Sequence, residues 1–359
     1  MSTLSQRPKT VKRIYDATGY LNIDTLWHYG TFLTFCIGAR GIGKTFNVLR
    51  YCIEHKINTI YVRRTKEEAD IASGKETNVL DEICTFCGRT YERLDGTDIP
   101  TYLIYQNGLT EDERVSQGMS ICFASLTTFH KVRSVGFHKY DCIVYDEFIP
   151  EKIARKIKHE ADAFNNMIET VNRNRELTGK PPVKVFCLSN SNDIYNDILA
   201  HYNLIRHLIK MQKTGSEIFV DKQRSISIIY PLHSPISEKK KETALYKAMS
   251  DSSYADMALQ NKFEDDLDKP YIKPQDLKEF KPIITVGEIT IYDHKSEFKV
   301  YLTFHRSGSV RKLEVNGENM RQFRKTGIGK KAILAQFVES AYFENAKVFM
   351  LWKSYMNIT

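Results

Sequence analysis

The chain has 359 residues, a mass of 41.6 kDa and a formal net charge of +8. Apolar residues make up 42% of it, enough for a proper core, so wholesale disorder is excluded. No apolar run approaches the ~20 residues that cross a bilayer, and the first residues lack the apolar region of a secretory signal, so we expect no membrane partner. Seven cysteines, an odd number that falls mostly in apolar runs, indicate a reducing cytoplasm.

Short apolar runs alternate with helical spacing along the first 200 residues. This alternation predicts an α/β domain with a parallel sheet, and continuously apolar strands indicate that helices cover both of its faces. The predicted strands are 31–37, 59–62, 102–106, 119–124, 141–145 and 183–188, and the predicted helices are 44–54, 78–86 and 161–177.

A glycine-rich segment follows the first predicted strand. Residues 38–45 read Gly-Ala-Arg-Gly-Ile-Gly-Lys-Thr and match G-x-x-x-x-G-K-[ST], the Walker A pattern. Such a loop points successive N–H groups at a phosphate, and the helix that follows adds its positive end. We therefore predict that Gly38, Ala39, Arg40, Gly41, Ile42, Gly43, Lys44 and Thr45 bind ATP. Lys44 would reach the β- and γ-phosphates, and Thr45 would ligate Mg²⁺. Arg40 either touches phosphate or shapes the loop.

A second acidic motif ends the strand at 141–145. Residues 142–147 read Cys-Ile-Val-Tyr-Asp-Glu, a Walker B element in which Asp146 would hold Mg²⁺ and Glu147 would orient the attacking water. The adjacent glutamate favours the RecA-like P-loop class with an additional strand and a catalytic glutamate (ASCE). Ser189 and Asn190 end the next strand. Asn190 is predicted to sense the γ-phosphate. For Ser189, a role at the γ-phosphate and a role in packing fit the pattern equally well.

Several basic residues are candidates for a cation that acts on the phosphates. Arg173 and Arg175 end the predicted helix 161–177, where they could serve as an arginine finger or simply complement the helix dipole. We favour Arg173 as the finger. Three more basic residues follow the second strand, Arg63, Arg64 and Lys66. They could be cations at the interface of a ring, or they could form a solvated face.

The pieces GARGIGKT, IYVRR, VYDEF, NRNRE and CLSN occur in that order between residues 38 and 190. Together they resemble the genome-packaging ATPases of phi29-like phages, relatives of the large terminase ATPases. The resemblance implies a homomeric, usually pentameric, ring in the host cytoplasm that acts transiently at the portal vertex of an empty capsid. It also implies ATP-driven movement of double-stranded DNA, with the portal as partner, and it leaves open whether a structural RNA bridges ring and capsid.

The resemblance also assigns roles to single residues. Lys44 and Thr45 become the Walker A pair, and Asp146 and Glu147 the Walker B pair. Arg173 becomes a trans-acting arginine and Lys66 a second cation at the subunit interface. Asn190 falls in the segment that couples hydrolysis to movement.

An acidic stretch at 251–269, followed by Pro270, Pro274 and a basic remainder, predicts a boundary near 265–280. We predict a P-loop ATPase domain at 1–205, a lid or linker at 206–275 and a smaller α+β domain at 276–359. Strands at 283–291, 298–304 and 310–315 and a helix at 332–355 are compatible with an RNase H-like fold and with other α+β folds. The family implies a vestigial nuclease.

Three acids lie on or near the first strands of this part, Glu288, Asp293 and Glu297, and nothing shows that they converge on metal ions. We therefore expect no nuclease activity.

Two rival functions remain at this point. One is a nucleic-acid helicase or AAA-type remodelling ATPase, and the other is a non-catalytic nucleotide-binding module. The intact Glu147 argues against the second.

Overall fold

The computed structural model forms two compact units. It describes residues 14–132, 136–151, 154–232, 234–249, 253–261, 263 and 271–356. Residues up to 194 and 207–265 form the first unit, and 195–206 with 266 onwards form the second. The predicted boundary near 265–280 lies partly outside the described residues, as do the acidic residues 264–268 and the first 13 residues. The lid or linker at 206–275 stays a prediction.

The first unit is built on a nine-stranded sheet of order β3-β4-β5-β2-β6-β7-β1-β9-β8. The six strands from β5 to β9 in this order pair in parallel. The remaining strands, β3 and β4 on one side and β8 on the other, pair antiparallel. The α/β prediction with a mostly parallel sheet is confirmed. The strands are β1 Leu33–Ile37, β2 Thr59–Arg63, β3 Arg89–Arg93, β4 Thr101–Gln106, β5 Met119–Ser125, β6 Cys142–Asp146, β7 Lys184–Ser189, β8 Ile218–Asp221 and β9 Ile226–Ile229.

Helices cover both faces of this sheet. Val48 of the second helix joins Val144 in one apolar cluster, whereas the next strand residue, Tyr145, stacks on Phe164 of the sixth helix at 5.5 Å between ring centroids. Up to residue 260 the helices are α1 Ile23–His28, α2 Lys44–Glu54, α3 Lys66–Ala72, α4 Leu80–Phe86, α5 Glu111–Gln117, α6 Glu160–Asn172, α7 Asp197–His201, α8 Ile205–Thr214, α9 Pro235–Lys241, α10 Ala244–Ala248 and α11 Ser253–Gln260. Of these, α7 belongs to the second unit. None of the helices among the described residues combines the length and apolar character of a membrane span.

The predicted helix 161–177 is too long. Helix α6 ends at Asn172 because Arg173 adopts φ 38° and ψ −123°, and a short 3₁₀ turn follows at Glu176–Thr178. Arg175 fixes this bend, since its guanidinium donates to the carbonyl of Tyr140 at 2.7 Å and pairs with Asp141.

The second unit contains a five-stranded sheet of order β13-β10-β11-β12-β14. The predicted strand 283–291 is wrong, because Gly287, at φ 59°, turns the chain into a hairpin of β10 and β11. The predicted helix 332–355 is also wrong. Buried Ala341 and Phe343 break it as a strand that pairs with β12. The elements are β10 Phe280–Val286, β11 Ile289–His294, β12 Val300–Thr303, β13 Lys312–Leu313, α12 Gly317–Lys325, α13 Gly327–Phe337, β14 Ala341–Phe343 and α14 Ala346–Met356.

A buried ion pair joins the end of β2 to the start of α6. Arg64 and Glu160 are 2% and 4% exposed, and the guanidinium contacts both carboxylate oxygens, at 2.7 and 3.2 Å. Tyr145 donates a further hydrogen bond to Glu160 at 3.0 Å. Arg64 is therefore neither an interface cation nor part of a solvated face.

This pair gives a test of the fold. Arg64→Met should lower the free energy of unfolding by about 3–5 kcal/mol, because it leaves the Glu160 carboxylate buried without its charge partner. Arg64→Met combined with Glu160→Met should cost clearly less than the single change. Urea unfolding measures both, and Arg93→Met, at an exposed arginine of β3, should stay within about 0.5 kcal/mol of the parent. A double variant as unstable as the single one would contradict this account.

Candidate nucleotide site

The predicted phosphate loop lies between β1 and α2. Gly41 and Gly43 have φ angles of 71° and 82°, in the left-handed region that favours glycine. Ala39 and Ile42 are buried and fasten the loop to the core. The backbone can therefore curl as a phosphate nest requires.

The Lys44 ammonium is held at the centre of this loop. It is buried and donates to the carbonyl oxygens of Gly38 and Ala39 at 2.9 and 2.8 Å, and to Oδ1 of Asn190 at 2.9 Å. Burial lowers the pKa of Lys44 to about 8. The structure thus brings Asn190 to the phosphate loop, at the end of β7, where the sequence predicts it.

Asp146 gathers hydroxyl donors from two elements. Thr45 Oγ1 and the Tyr61 hydroxyl both donate to its Oδ2, at 2.8 and 2.7 Å. Burial, together with the nearby Asp146 charge, raises the pKa of Tyr61. A threonine hydroxyl beside an aspartate carboxylate supplies hard oxygen ligands, which fit Mg²⁺. Among the described residues no cluster of three or more histidine, cysteine or acidic side chains offers another metal site.

Glu147 follows directly, at the end of β6, with φ 54°. Its side chain is 55% exposed, and Arg63 of β2 pairs with its carboxylate. Burial acts to lower the pKa of Arg63, but Tyr61, Glu147 and Asp146 outweigh burial and raise it. Arg63 is therefore an internal partner of the Glu147 carboxylate, a role that sequence reasoning missed.

One cavity of about 340 Å³ brings these groups together. It places Lys44 and Thr45 in the same cleft as Asp146 and Glu147, the arrangement that the sequence predicts. Its lining residues are Arg40, Gly41, Gly43, Lys44, Thr45, Phe46, Asp146, Glu147, Ser189 and Asn190.

Ser189 supports the chain that follows Glu147. Its hydroxyl accepts from the N–H of Ile149 at 3.2 Å, and its carbonyl accepts from the N–H of Gly38 at 3.0 Å. These contacts connect the loop after β6 with the phosphate loop, so Ser189 has a structural task at this edge.

The two predicted interface cations lie at different edges of the sheet. Lys66 begins α3 at the same edge as Glu147, and its exposed ammonium has no hydrogen bond or ion pair to another described residue. Arg173 is exposed and lies near the start of β6, because the turn that contains it is bound through Arg175 to Tyr140. The five residues of β6 separate that edge from Glu147 by about 16 Å. Arg175 is 7% exposed and structural.

Arg40 connects three parts of the first unit. Its guanidinium pairs with Glu151, its N–H donates to the carbonyl of Ala258 at 3.1 Å, and its carbonyl accepts from Lys240 at 2.8 Å. Sequence reasoning raised the possibility that Arg40 shapes the loop but missed these partners. The basic run at 239–241 was the available signal.

Known proteins similar to this chain share one description. The family model for the podovirus DNA encapsidation protein (Gp16) matches residues 15–291. The DNA packaging proteins of Bacillus phages PZA and phi29 are each 27% identical over 260 residues, covering 69% of this chain and 67% of the relative.

Two solved structures share the fold. The bacteriophage Phi-29 viral genome packaging motor assembly matches with a TM-score of 0.59, at 21% identity, over 93% of this chain and 98% of the other. The Phi-28 gp11 DNA packaging motor matches with a TM-score of 0.58, at 16% identity, over 95% and 98%. With the family model matching well over half of its residues, this chain belongs to the podovirus DNA encapsidation protein (Gp16) family.

Proposed function

We propose that this protein is a Mg²⁺-dependent ATPase that drives double-stranded DNA into a preformed capsid. The observation that carries the proposal is the single cavity shared by the loop 38–45 and Glu147. Membership of a DNA encapsidation family supports the cargo, and the likeness to packaging motors supports the architecture.

The first task of the site is to hold a triphosphate. Gly41, Gly43 and Thr45 line the cavity, where loop N–H groups would bind phosphates. Lys44 can exchange the Asn190 oxygen for a phosphate oxygen without leaving its two carbonyl partners. Thr45 and Asp146 would hold Mg²⁺, which supplies charge neutralisation for the phosphates when bound.

The second task is to orient water. Glu147 carries the only cavity-lining carboxylate among the described residues apart from Asp146, and it is paired with Arg63. The carboxylate must turn from Arg63 towards the attacking water before it can accept a proton. Arg63 thus holds Glu147 in a resting position.

The third task falls on a neighbouring subunit. Arg173 lies at the sheet edge opposite the cavity, so within one chain it cannot reach the γ-phosphate. We propose that identical subunits form a ring in which Arg173 of one subunit completes the site of the next. The mixing experiment below tests this role. Lys66, exposed at the catalytic edge, would be a second cation at that interface.

The remaining partners follow from the family. We propose a pentameric ring at the portal vertex of the capsid, in the host cytoplasm, with double-stranded DNA as cargo and a structural RNA as a candidate bridge. The related structure described as the phi29 genome packaging motor assembly supports this setting.

The second unit is proposed to be a vestigial, RNase H-like nuclease domain. The antiparallel strands β10, β11 and β12, with β13 parallel to β10, support that fold. Asp293 pairs with Lys331 and Glu297 with Lys299, so both acids are engaged with lysines.

The function itself has a direct test. ATP hydrolysis should rise when duplex DNA and empty capsids are added together, and less with single strands. Glu147→Gln should bind ATP but lower turnover about 10²–10⁴-fold, and Lys44→Ala should weaken binding at least about 100-fold because two or more charge-assisted contacts are lost. Greater stimulation by single strands would favour a helicase and contradict the proposal.

The buried lysine predicts a pH dependence of binding. Lys44, with its pKa near 8, is charged below pH 8 and neutral above it, and bound phosphates favour the charged form. At pH 9 ATP binding should therefore take up about one proton and weaken with rising pH, whereas at pH 7 uptake should be near zero. Calorimetry in buffers of different ionisation enthalpy measures this. Lys44→Arg should remove the uptake, and its persistence in that variant would contradict the assignment.

Mixing experiments test the trans arginine. Arg173→Ala alone should bind ATP normally and lose about 10³–10⁵-fold in turnover. Mixed with Glu147→Gln subunits it should regain part of its activity, because Arg173 of a Glu147→Gln subunit can complete the intact site of an Arg173→Ala neighbour. Lys180→Ala, an exposed change in the same turn, should keep full activity. Mixtures without any recovery would contradict the trans role.

A further inference from the structure

A helical segment outside the Walker motifs contacts the loop 38–45. We call the described residues of 235–261, which include α9, α10 and α11, the cap segment. The cap segment binds both backbone polar groups of Arg40. Lys240 of α9 donates to the Arg40 carbonyl at 2.8 Å, and the carbonyl of Ala258 in α11 accepts from the Arg40 N–H at 3.1 Å. The conformation of the loop at Arg40 is therefore set by the cap segment.

The position of the Lys240 ammonium depends on Gly41. A Cβ atom at residue 41 would lie only 2.0 Å from Nζ of Lys240. Because Gly41 also lines the cavity, the ammonium lies next to the wall of the proposed phosphate site. It adds a cation beside the loop to those of Lys44 and Arg40.

The cap segment begins with a capped helix and is fastened at its other end close to this contact. Ser234 caps α9 by accepting from the N–H of Ile236 at 3.2 Å. At the other end, buried Asn261 donates to the carbonyls of Ile37 and Pro231, both at 2.8 Å, and Ile37 directly precedes the loop. Lys240 is thus presented from a supported helix, and its half-buried ammonium is stabilised at the Arg40 carbonyl.

Its neighbours in sequence do not share this position. The Lys239 ammonium is exposed and has no polar contact to another described residue, and the Lys241 ammonium pairs with Glu238 on the surface of α9. A lysine that merely aids solubility would resemble these two. The contact to the loop is specific to Lys240.

We propose that Lys240 is a positioning residue of the nucleotide site. Its ammonium clamps the Arg40 carbonyl, holds the loop 38–45 in the shape that accepts phosphates, and adds positive charge beside Gly41. This inference rests on the proposed ATP binding and extends the site to a helix about 200 residues away in sequence.

The first test compares two neighbouring lysines. Lys240→Met should weaken the binding of ATP and of inorganic triphosphate about tenfold or more, the effect of losing one charge-assisted hydrogen bond at the loop. Lys239→Met should bind like the parent, and Lys240→Arg should recover part of the loss because a guanidinium also donates to a carbonyl. Thermal unfolding without ligand should be the same for Lys240→Met and Lys239→Met.

The outcomes distinguish a failure of the proposed ATP binding from a failure of the Lys240 clamp. A parent protein that binds neither ligand would overturn the proposed function. A parent that binds, with Lys240→Met binding equally well, would overturn the clamp and leave the function standing. If Lys240→Met lowered the unfolding temperature of the ligand-free protein as well as its affinity for triphosphate, Lys240 would be a structural residue, and the clamp would also be overturned.

A second pair of variants tests the geometry. Gly41→Ala should weaken triphosphate binding strongly, both through its positive φ and by displacing Lys240. In the Lys240→Met background the same change should cost several-fold less, because the clash with the ammonium is gone. Equal costs in the two backgrounds would show that the ammonium does not occupy the space beside Gly41.

Discussion

The order of four parallel strands is the constraint on which the site depends. Strands β2, β6, β7 and β1 are neighbours, so their carboxyl ends lie in a row with about 4.8 Å between strands. Each end contributes one part: Arg63 beyond Tyr61, Asp146 with Glu147, Asn190, and the loop that carries Lys44. The loop that carries Lys44 and the Glu147 carboxylate meet because only β7 separates their strands.

The polar contacts within this row are mutually satisfied. Lys44 is shared by the loop and Asn190, and Asp146 is shared by Thr45 and Tyr61. Such a network is preorganised, since each charge already has a partner before the substrate arrives. In the proposed function, Lys44 would exchange Asn190 for a phosphate oxygen, and Glu147 would turn from Arg63 to the attacking water. The contacts that hold the site together would then be those that change during binding and hydrolysis.

Local patterns were enough to predict the loop and six strands of the first sheet, β1, β2, β4, β5, β6 and β7, whereas β3, β8 and β9 were not predicted. These strands and helix α2 were predictable because apolar periodicity and glycine spacing are short-range signals. The structure places the predicted loop, Asp146, Glu147 and Asn190 in one cleft. Contacts between distant residues were not predictable in this way. Arg63 and Arg64 are adjacent in the sequence, yet one reaches Glu147 and the other is buried with Glu160, and nothing local distinguishes them. The strand Ala341–Phe343 was missed because it pairs with β12, which is distant in the sequence. The hairpin at Gly287 had a local signal, a glycine between two apolar runs, that the sequence analysis did not use.

The central claim is that the loop and the strand ends form one site for Mg²⁺ and a triphosphate. A crystal structure of the protein with a non-hydrolysable ATP analogue and Mg²⁺ tests this most directly. The account predicts phosphates along the N–H groups that follow Gly41, Lys44 withdrawn from Asn190, and the metal beside Thr45 and Asp146. An analogue bound away from this cleft, with Lys44 still bonded to Asn190, would contradict it.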